Sequence, residues 1–533
     1  MSTADPLSSD PRSPGRRRRF IGHAGGVAAA SVAMGLAGAA GGPSLPLTRP
    51  GTAAAAGAAA TPDYRSRAER AYQIRLEAAR YSRDLPVASH LTNGDEEAFA
   101  SRIASFSKGL PHNELAEVEL PAYDALLLAL SSGHPAAFEA IPVGGAARLV
   151  NPQAALAFGL EGIDSHQLGM APPPSFSSAE EAAEIGECYW QALTRDVAFD
   201  EYESHPSSNA AAADMSRFTA FSGPQEDGRV TPRTLFRGAT AGDLLGPYVS
   251  QFLWQDVPMG AQTLVQHVRS TVAGVDHLTR YPQWWSVQNG RNAVAVHFDP
   301  SPRYIRTGRD LGEYVRKDFS YQAFLNAALI LLRKNGAFDT FDAAPLDAGN
   351  PYRKTLTQTG FSTFGSPHAL DAVARMANCA LRAAWFQKWL VHRRLRPETF
   401  AGRIHNHRSG AATYPIHADA LNSAALEAVF AEHGTYLLPM AYPEGCPPHP
   451  AYPSGHATMA GACVTVLKAF FNEAAVMPAP VVPGPDGRSL MPYEGPPLTV
   501  GGELDKLASN IAIGRVIAGV HWRSDGVEGM KLG

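Results

Sequence analysis

The 533-residue sequence predicts a mainly α-helical protein whose helices pack as bundles. Three observations lead there. Apolar residues recur at three-to-four spacing in segment after segment, strand-like alternation is nearly absent, and 45% apolar with 18% charged residues is the composition of a folded globular chain. The periodic segments are 63–83, 178–197, 319–334, 368–395, 416–432, 457–473 and 503–520. Ser178 ahead of Glu180 and Glu181 reads as a helix start, and Pro397 ends the longest segment at the residues before it. The Gly/Pro-rich connections 336–366 and 474–502 read as irregular, in keeping with 49 Gly and 42 Pro, and any strands should be short hairpins. A last helix is expected over 524–532, and the chain ends soon after it. At roughly 150 residues per domain, this length corresponds to about three domains, or to a single large domain built in two halves.

The N-terminus reads as a targeting segment. Arg16, Arg17, Arg18, Arg19, Phe20 and Ile21 fit a twin-arginine export signal, followed by a weakly apolar Gly/Ala run to Gly42. That run holds too little Leu and Ile for a membrane span, so the protein is expected to be exported, with no stable membrane partner. The expected organisation is residues 1–60 as signal and Ala/Gly/Pro linker, 61–200 as an N-terminal helical region, and 201–533 as the region holding the chemistry. The net charge is −4 for the whole chain. Residues 1–60 hold six Arg and two Asp, so the remainder has 40 basic against 48 acidic groups, or −8, and nothing points to nucleic acid. Cys188, Cys379, Cys446 and Cys463 are too few and too scattered for a disulfide framework or a zinc site. Cys379 and Cys463 are expected as buried thiols, and Cys446 as a free thiol in a Pro-rich loop.

Three late segments concentrate unusual groups: 388–397 (KWLVHRRLRP), 449–457 (HPAYPSGHA) and 514–525 (GRVIAGVHWRSD). Lys388 and Arg396 lie eight apart. At about 100° per residue they fall some 80° off one helical face, and they converge if the helix loosens before Pro397. Arg515 and His521 would splay on a continuous helix, but Gly519 offers a break that turns both toward one cavity. Ser454, Gly455 and His456 precede an apolar helix, which puts a hydroxyl and free N–H groups at a helix N-terminus suited to an oxyanion. Two guanidinium forks, an ammonium, a hydroxyl and a glycine N–H make a cage for a tetrahedral, doubly charged anion. Two histidines beside it provide a ligand or nucleophile and an acid/base. Taken singly, Arg393 and Arg394 read as solvated helix charges, His392 as structural, Ser454 as a helix cap and Gly455 as a turn residue.

The order Lys…Arg-Pro, Pro-Ser-Gly-His, Gly-Arg-x5-His-x3-Asp resembles the superfamily that joins vanadium-dependent haloperoxidases to acid phosphatases. Seven residues, Trp389 to Leu395, separate Lys388 from Arg396, the spacing of the algal and cyanobacterial bromoperoxidase subgroup rather than the six of the phosphatases. Segments 235–248, 250–254, 303–306, 309–311 and 360–368 resemble that subgroup too, so the likeness covers roughly 200–533. It implies a fold of two four-helix bundles with long loops and few short strands.

The resemblance also implies a vanadate cofactor. His521 would ligate the metal, and Lys388, Arg396, Arg515, the Ser454 hydroxyl and the Gly455 N–H would hold its oxygens. His456 would act as acid/base, with His449 as a second active-site histidine that favours bromide and iodide over chloride. Trp385 would line the halide entrance, its plain alternative being helix packing. Asp525 would orient the imidazole or Arg515, and either Asp318 or Asp310 would supply an upstream acidic residue. The implied reaction is oxidation of bromide or iodide by hydrogen peroxide to a hypohalous-acid-type species that halogenates an organic nucleophile, in a homo-oligomer. The alternative is an acid phosphatase acting through a phosphohistidine at His521.

Overall fold

A computed structural model describes residues 63–291, 295–332 and 345–533. The export signal expected over 1–60 lies outside the described residues, as do positions 333–334 and 336–344 of two segments named above. The chain divides into two units, Met1–Asp84 and Leu85–Gly533. In the first, α1 spans Tyr64–Asp84.

The regular structure of the second unit is almost all helical. Its elements begin with α2 (Asp95–Ala98), α3 (Leu120–Ser132), α4 (Pro135–Glu139), α5 (Ala179–Leu193) and α6 (Pro206–Met215). A hairpin of β1 (Val257–Met259) and β2 (Gln262–Leu264) follows, then α7 (Tyr281–Gln288), α8 (Gly308–Lys317), α9 (Gln322–Leu331) and α10 (Ser366–Phe386). After α11 (Pro397–Arg408), α12 (Ala418–Leu421), α13 (Ala424–His433) and α14 (Gly455–Phe470) comes a second hairpin, β3 (Val481–Pro483) with β4 (Leu490–Pro492). The chain closes with α15 (Val500–Ile517) and α16 (Arg523–Leu532). Among the described residues no helix is long and apolar enough to cross a membrane.

The expected helices are present, with informative differences. Ser178 caps α5 by accepting from the Glu181 N–H, as read. Segment 416–432 is broken in two because the Ser423 side chain caps a fresh helix start at α13. Segment 474–502 carries the β3–β4 hairpin. Helices α2, α3, α4, α6, α7, α8 and α11 were not foreseen; all but α2 and α8 have proline in the first turn, where the missing N–H costs nothing. Pro397 therefore starts α11 rather than ending the helix before it. That helix ends earlier: α10 passes into a π-helical stretch at Gln387–His392, and Arg393 takes the left-handed conformation at φ 40°.

Helix α14 is the hub of the site-bearing bundle and packs against α10, α15 and α16, while α15 also packs on α8. Its approach to α16 is close. A Cβ at Gly461 would lie 2.1 Å from the Met530 carbonyl oxygen, so only glycine admits that backbone. One large core runs from Ile103 to Trp522 and includes Trp284, Leu426, Cys463, Leu507 and Ile511. A smaller one gathers Phe106, Leu110, Tyr123, Leu126 and Trp389, which anchors the π-helical stretch from below. Cys463 and Cys446 are buried, Cys379 is only partly so, and all four cysteines are free.

Because α16 cannot retreat without uncovering the core, Gly461→Ala should destabilise the protein by roughly 2–3 kcal/mol. Thermal denaturation checks this; an unchanged midpoint would show that the two helices separate freely.

Candidate active site

The three motif segments meet at the N-terminus of α14. The π-helical stretch interrupts the regular helix between Lys388 and Arg396, whose side chains both donate to the Pro450 carbonyl. Arg393 then turns the chain, and its uncommon left-handed geometry is held from two sides. Its guanidinium binds Glu96, with Nε donating to Oε1 at 2.9 Å, and its Nη1 donates to the Trp389 carbonyl at 2.9 Å. Arg393 and Arg394 are thus not the solvated charges expected of them. Arg394 is 3% exposed, in ion pairs with Glu181, Glu184 and Asp525.

The loop before α14 is fixed by a buried glutamate. Glu398 accepts from Lys108 Nζ at 2.6 Å, Gln288 Nε2 at 2.9 Å and the Cys446 N–H at 2.8 Å. It sits so near Gly445 (φ 62°) that a Cβ there would lie 1.9 Å from its Oε2. Beyond this anchor come His449 and then Ser454, which caps α14 by accepting from the Ala457 N–H. Gly455 is the first helical residue, so its N–H has no intrahelical acceptor. A Cβ on it would meet the Trp385 ring at 3.2 Å. Downstream, α15 ends at Ile517, and Gly519 turns the chain at φ 81°, as its position in the motif suggested. His521 thereby faces back toward Arg515 and Arg396.

The geometry is specific. Arg396 Nη1 lies 3.0 Å from His521 Nε2 and donates to the Val520 carbonyl at 2.6 Å. Its Nη2 reaches His449 Nδ1 at 2.9 Å. Lys388 Nζ donates to the carbonyls of Pro450 at 2.7 Å and Ala451 at 2.8 Å. Arg515 Nη1 donates to the Val315 carbonyl at 2.8 Å, while its buried Nε finds no partner among the described residues. His521 Nδ1 lies 2.7 Å from Asp525 Oδ2, so this nitrogen carries the proton donated to the carboxylate. The Nε2 lone pair is then the one turned toward Arg396.

Lys388, Arg396 and Arg515 are at most 7% exposed, and among the described residues none forms an ion pair with a carboxylate. Burial, reinforced by Arg396, holds the Lys388 ammonium well below the usual lysine range. Burial pulls the Arg396 guanidinium down to about 10. Burial, then Arg396 and Lys388, holds His521 and His449 well below the usual imidazole range. Every shift runs toward shedding positive charge, as expected where cations crowd without an anion. An oxyanion of two or more charges would offset that surplus and take up the unpartnered Arg515 Nε, so these residues fit one. Among the described residues no group of three or more histidine, cysteine or acidic side chains is arranged to hold a cation.

The surrounding residues resolve the open alternatives. Asp318 Oδ1 lies 3.1 Å from His456 Nε2, whereas Asp310 caps α8 and pairs with Arg303. Of the two candidates, Asp318 is thus the one that contacts a motif histidine. Asp525 serves His521 and not Arg515. Trp385 is half-buried, its ring centroid 4.9 Å from that of His449 and 5.9 Å from Lys388 Nζ, so it packs beside both residues. Sequence reading missed Arg394, Glu181 and Glu184. The acidic pair lies one helical turn apart on α5, but nothing local marks it as reaching residue 394.

A family model described as the VCPO second helical-bundle domain matches residues 369–533. The vanadium-dependent bromoperoxidase of Ascophyllum nodosum is 34% identical over 487 residues, covering 82% of this chain and 86% of that protein. The vanadium-dependent bromoperoxidases of Corallina pilulifera and Corallina officinalis are 32% identical over 565 residues, 88% of this chain and 93% of each relative. The chain belongs to the vanadium-dependent bromoperoxidase family. The homohexameric structure of the second vanadate-dependent bromoperoxidase from A. nodosum superposes with a TM-score of 0.83 at 32% identity, covering 91% of this chain and 87% of that one. This fold match places the mainly helical architecture within the bromoperoxidases. Nothing among these relatives favours the acid phosphatase reading.

The cation surplus has a measurable consequence. Lys388→Met removes a desolvated charge, so it should leave the anion-free protein as stable or more stable while shrinking the rise in melting temperature that inorganic phosphate or vanadate produces. A variant with an undiminished rise would place the anion elsewhere.

Proposed function

We propose that this protein oxidises bromide, and iodide, with hydrogen peroxide, using vanadate held at the N-terminus of α14. The observation that carries the reading is the buried trio Lys388, Arg396 and Arg515, unpaired with carboxylates and gathered around His521 Nε2. The family's name supplies the cofactor. Lys388, Arg396, Arg515, the Ser454 hydroxyl and the Gly455 N–H would hold the oxygens of vanadate, and His521 Nε2 would be its protein ligand. Bound there, vanadate acts as a Lewis acid that activates hydrogen peroxide toward halide without changing oxidation state.

The chain's own residues do the rest. Asp525 keeps the His521 proton on Nδ1 and so leaves Nε2 free to ligate. The three cations neutralise the anion, and their carbonyl partners keep them pointed inward before it arrives. His456, whose Nε2 lies 3.1 Å from Asp318 Oδ1, would take up and return a proton. In the net reaction, hydrogen peroxide, bromide and one proton drawn from solvent give hypobromous acid and water: bromide donates an electron pair to one peroxide oxygen, the O–O bond breaks, and the other oxygen leaves as water. His449, held neutral by burial and bonded to Arg396, stands with Trp385 on the side where halide enters. Its neutrality avoids a fourth cation that would bind bromide too tightly to release. An organic nucleophile takes the halogen at the pocket mouth or in solution.

Two further readings belong with this one. Self-association into a homo-oligomer is supported by the homohexameric relative, and light scattering giving a monomer mass would remove it. Export by the twin-arginine route is supported by Arg17, Arg18, Phe20 and Ile21, and an intact, retained N-terminus would remove it.

The test is to load the full chain with orthovanadate, dialyse, and measure bound vanadium, peroxide-dependent bromination of a phenol dye and hydrolysis of p-nitrophenyl phosphate side by side. One vanadium per chain with bromination is expected; phosphate hydrolysis without bromination would overturn the reading. His521→Ala should lose vanadium on dialysis, and stoichiometric metal in that variant would contradict the ligand assignment. His449→Ala should lower bromide turnover by about 10-fold or more while keeping vanadium, on the scale of a lost positioned active-site group. Unchanged bromide kinetics would remove it from the site.

A further inference from the structure

The Asp525 carboxylate is fully buried, and both of its oxygens are in use. Oδ2 accepts from His521 Nδ1 at 2.7 Å and from the Trp522 N–H at 3.1 Å. Oδ1 accepts from Arg394 Nη1 at 2.9 Å. The terminal torsion of an aspartate is soft, so two bonds on one oxygen leave the plane of the carboxylate free to tilt. The guanidinium on the other oxygen stops that tilt, and with it any swing of the imidazole.

Arg394 is itself held on its edges and its faces. Nη1 also donates to Ser524 Oγ at 2.8 Å, and Nη2 binds Glu184 Oε2 at 2.9 Å as well as Glu181. Glu184 in turn accepts from the Ser524 N–H at 2.7 Å and from the Ser524 hydroxyl at 2.8 Å. The guanidinium carbon lies 4.8 Å from the Trp522 ring and 5.9 Å from the Tyr452 ring. Glu181 and Glu184 come from α5, outside the 369–533 segment that the family model matches. A helix remote in sequence therefore reaches His521 in two steps, through Arg394 and then Asp525.

We propose that Arg394, clamped by Glu181 and Glu184, is a positioning residue that acts through Asp525 to aim His521 Nε2 at the bound oxyanion. The proposal rests on His521 being the vanadium ligand and adds residues that touch neither vanadate nor substrate. Lysine in place of Arg394 keeps the charge but has one nitrogen where the fork has two, so it cannot bind Asp525 and the α5 glutamates at once.

The test measures the vanadate dissociation constant of the full-length protein by equilibrium dialysis, with the vanadium-51 resonance of the bound ion as a second readout. Arg394→Lys should weaken binding by about 10- to 100-fold, the usual cost of losing an outer partner of a metal ligand, and should move the resonance. In an Asp525→Asn background the same substitution should change the constant by less than about twofold, because the path through the carboxylate is already cut. Glu184→Gln, which keeps the size and removes the charge, should weaken binding by about 3- to 10-fold, and it carries the test should Arg394→Lys fail to fold. Parental affinity in either folded variant, or an Arg394→Lys effect undiminished beside Asp525→Asn, would overturn the proposal. Absence of vanadate binding in the parent would overturn the ligand reading and this proposal together, whereas a binding parent with unaffected variants would sink this proposal alone.

Discussion

Buried positive charge without a matching carboxylate is the constraint on which the site depends. Lys388, Arg396 and Arg515 sit close together out of water; burial pushes the first two toward neutrality, and the cations repel one another. Carbonyl oxygens of Val315, Pro450, Ala451 and Val520 hold them in place instead. A dipole partner fixes direction without cancelling charge. The guanidinium and ammonium heads therefore remain available for an anion, where a carboxylate would have closed the site on itself.

Negative charge is present nearby, but one layer out and already committed. Glu398 is bound to Lys108, Gln288 and the Cys446 N–H, and so holds the loop that carries His449. Glu181, Glu184 and Asp525 gather on Arg394, and only Asp525 extends inward, to His521 Nδ1. Asp318 meets His456 from the end of α8. Each of the two histidines proposed to act at the oxyanion thus has its own carboxylate, and among the described residues no carboxylate pairs with the cations. In the proposed mechanism, that separation would let one imidazole offer a fixed lone pair while the other exchanges a proton.

The fold supplies the rigidity this requires. Helix α14 presents its N-terminus, with the Gly455 N–H lacking an intrahelical acceptor, from the centre of a bundle in which α16 approaches to backbone contact at Gly461. The π-helical stretch and the left-handed Arg393 are local departures from regular helix, held by Trp389 in the small core and by Glu96. They place Lys388 and Arg396 on the same cavity, which a regular α10 running on to residue 395 would not do.

That the three motif segments come together was legible in the chain because their residue types and spacings follow local chemistry. A capped helix start at Ser454, a break at Gly519, and His521 four residues before Asp525 all act over one or two turns, and the structure shows each as read. Long amphipathic helices were legible for the same reason, since three-to-four periodicity is a local property. Several helices opening on proline, α3, α6, α7 and α11 among them, were missed, because a proline in the first turn looks like a stop until the following turn is seen to pack. The choice of Asp318 over Asp310, the burial of Arg394 and its partnership with glutamates more than two hundred positions away were decided only in three dimensions. Ion-pair choice depends on which charges are desolvated together, and desolvation is a property of the packed molecule rather than of any stretch of its sequence.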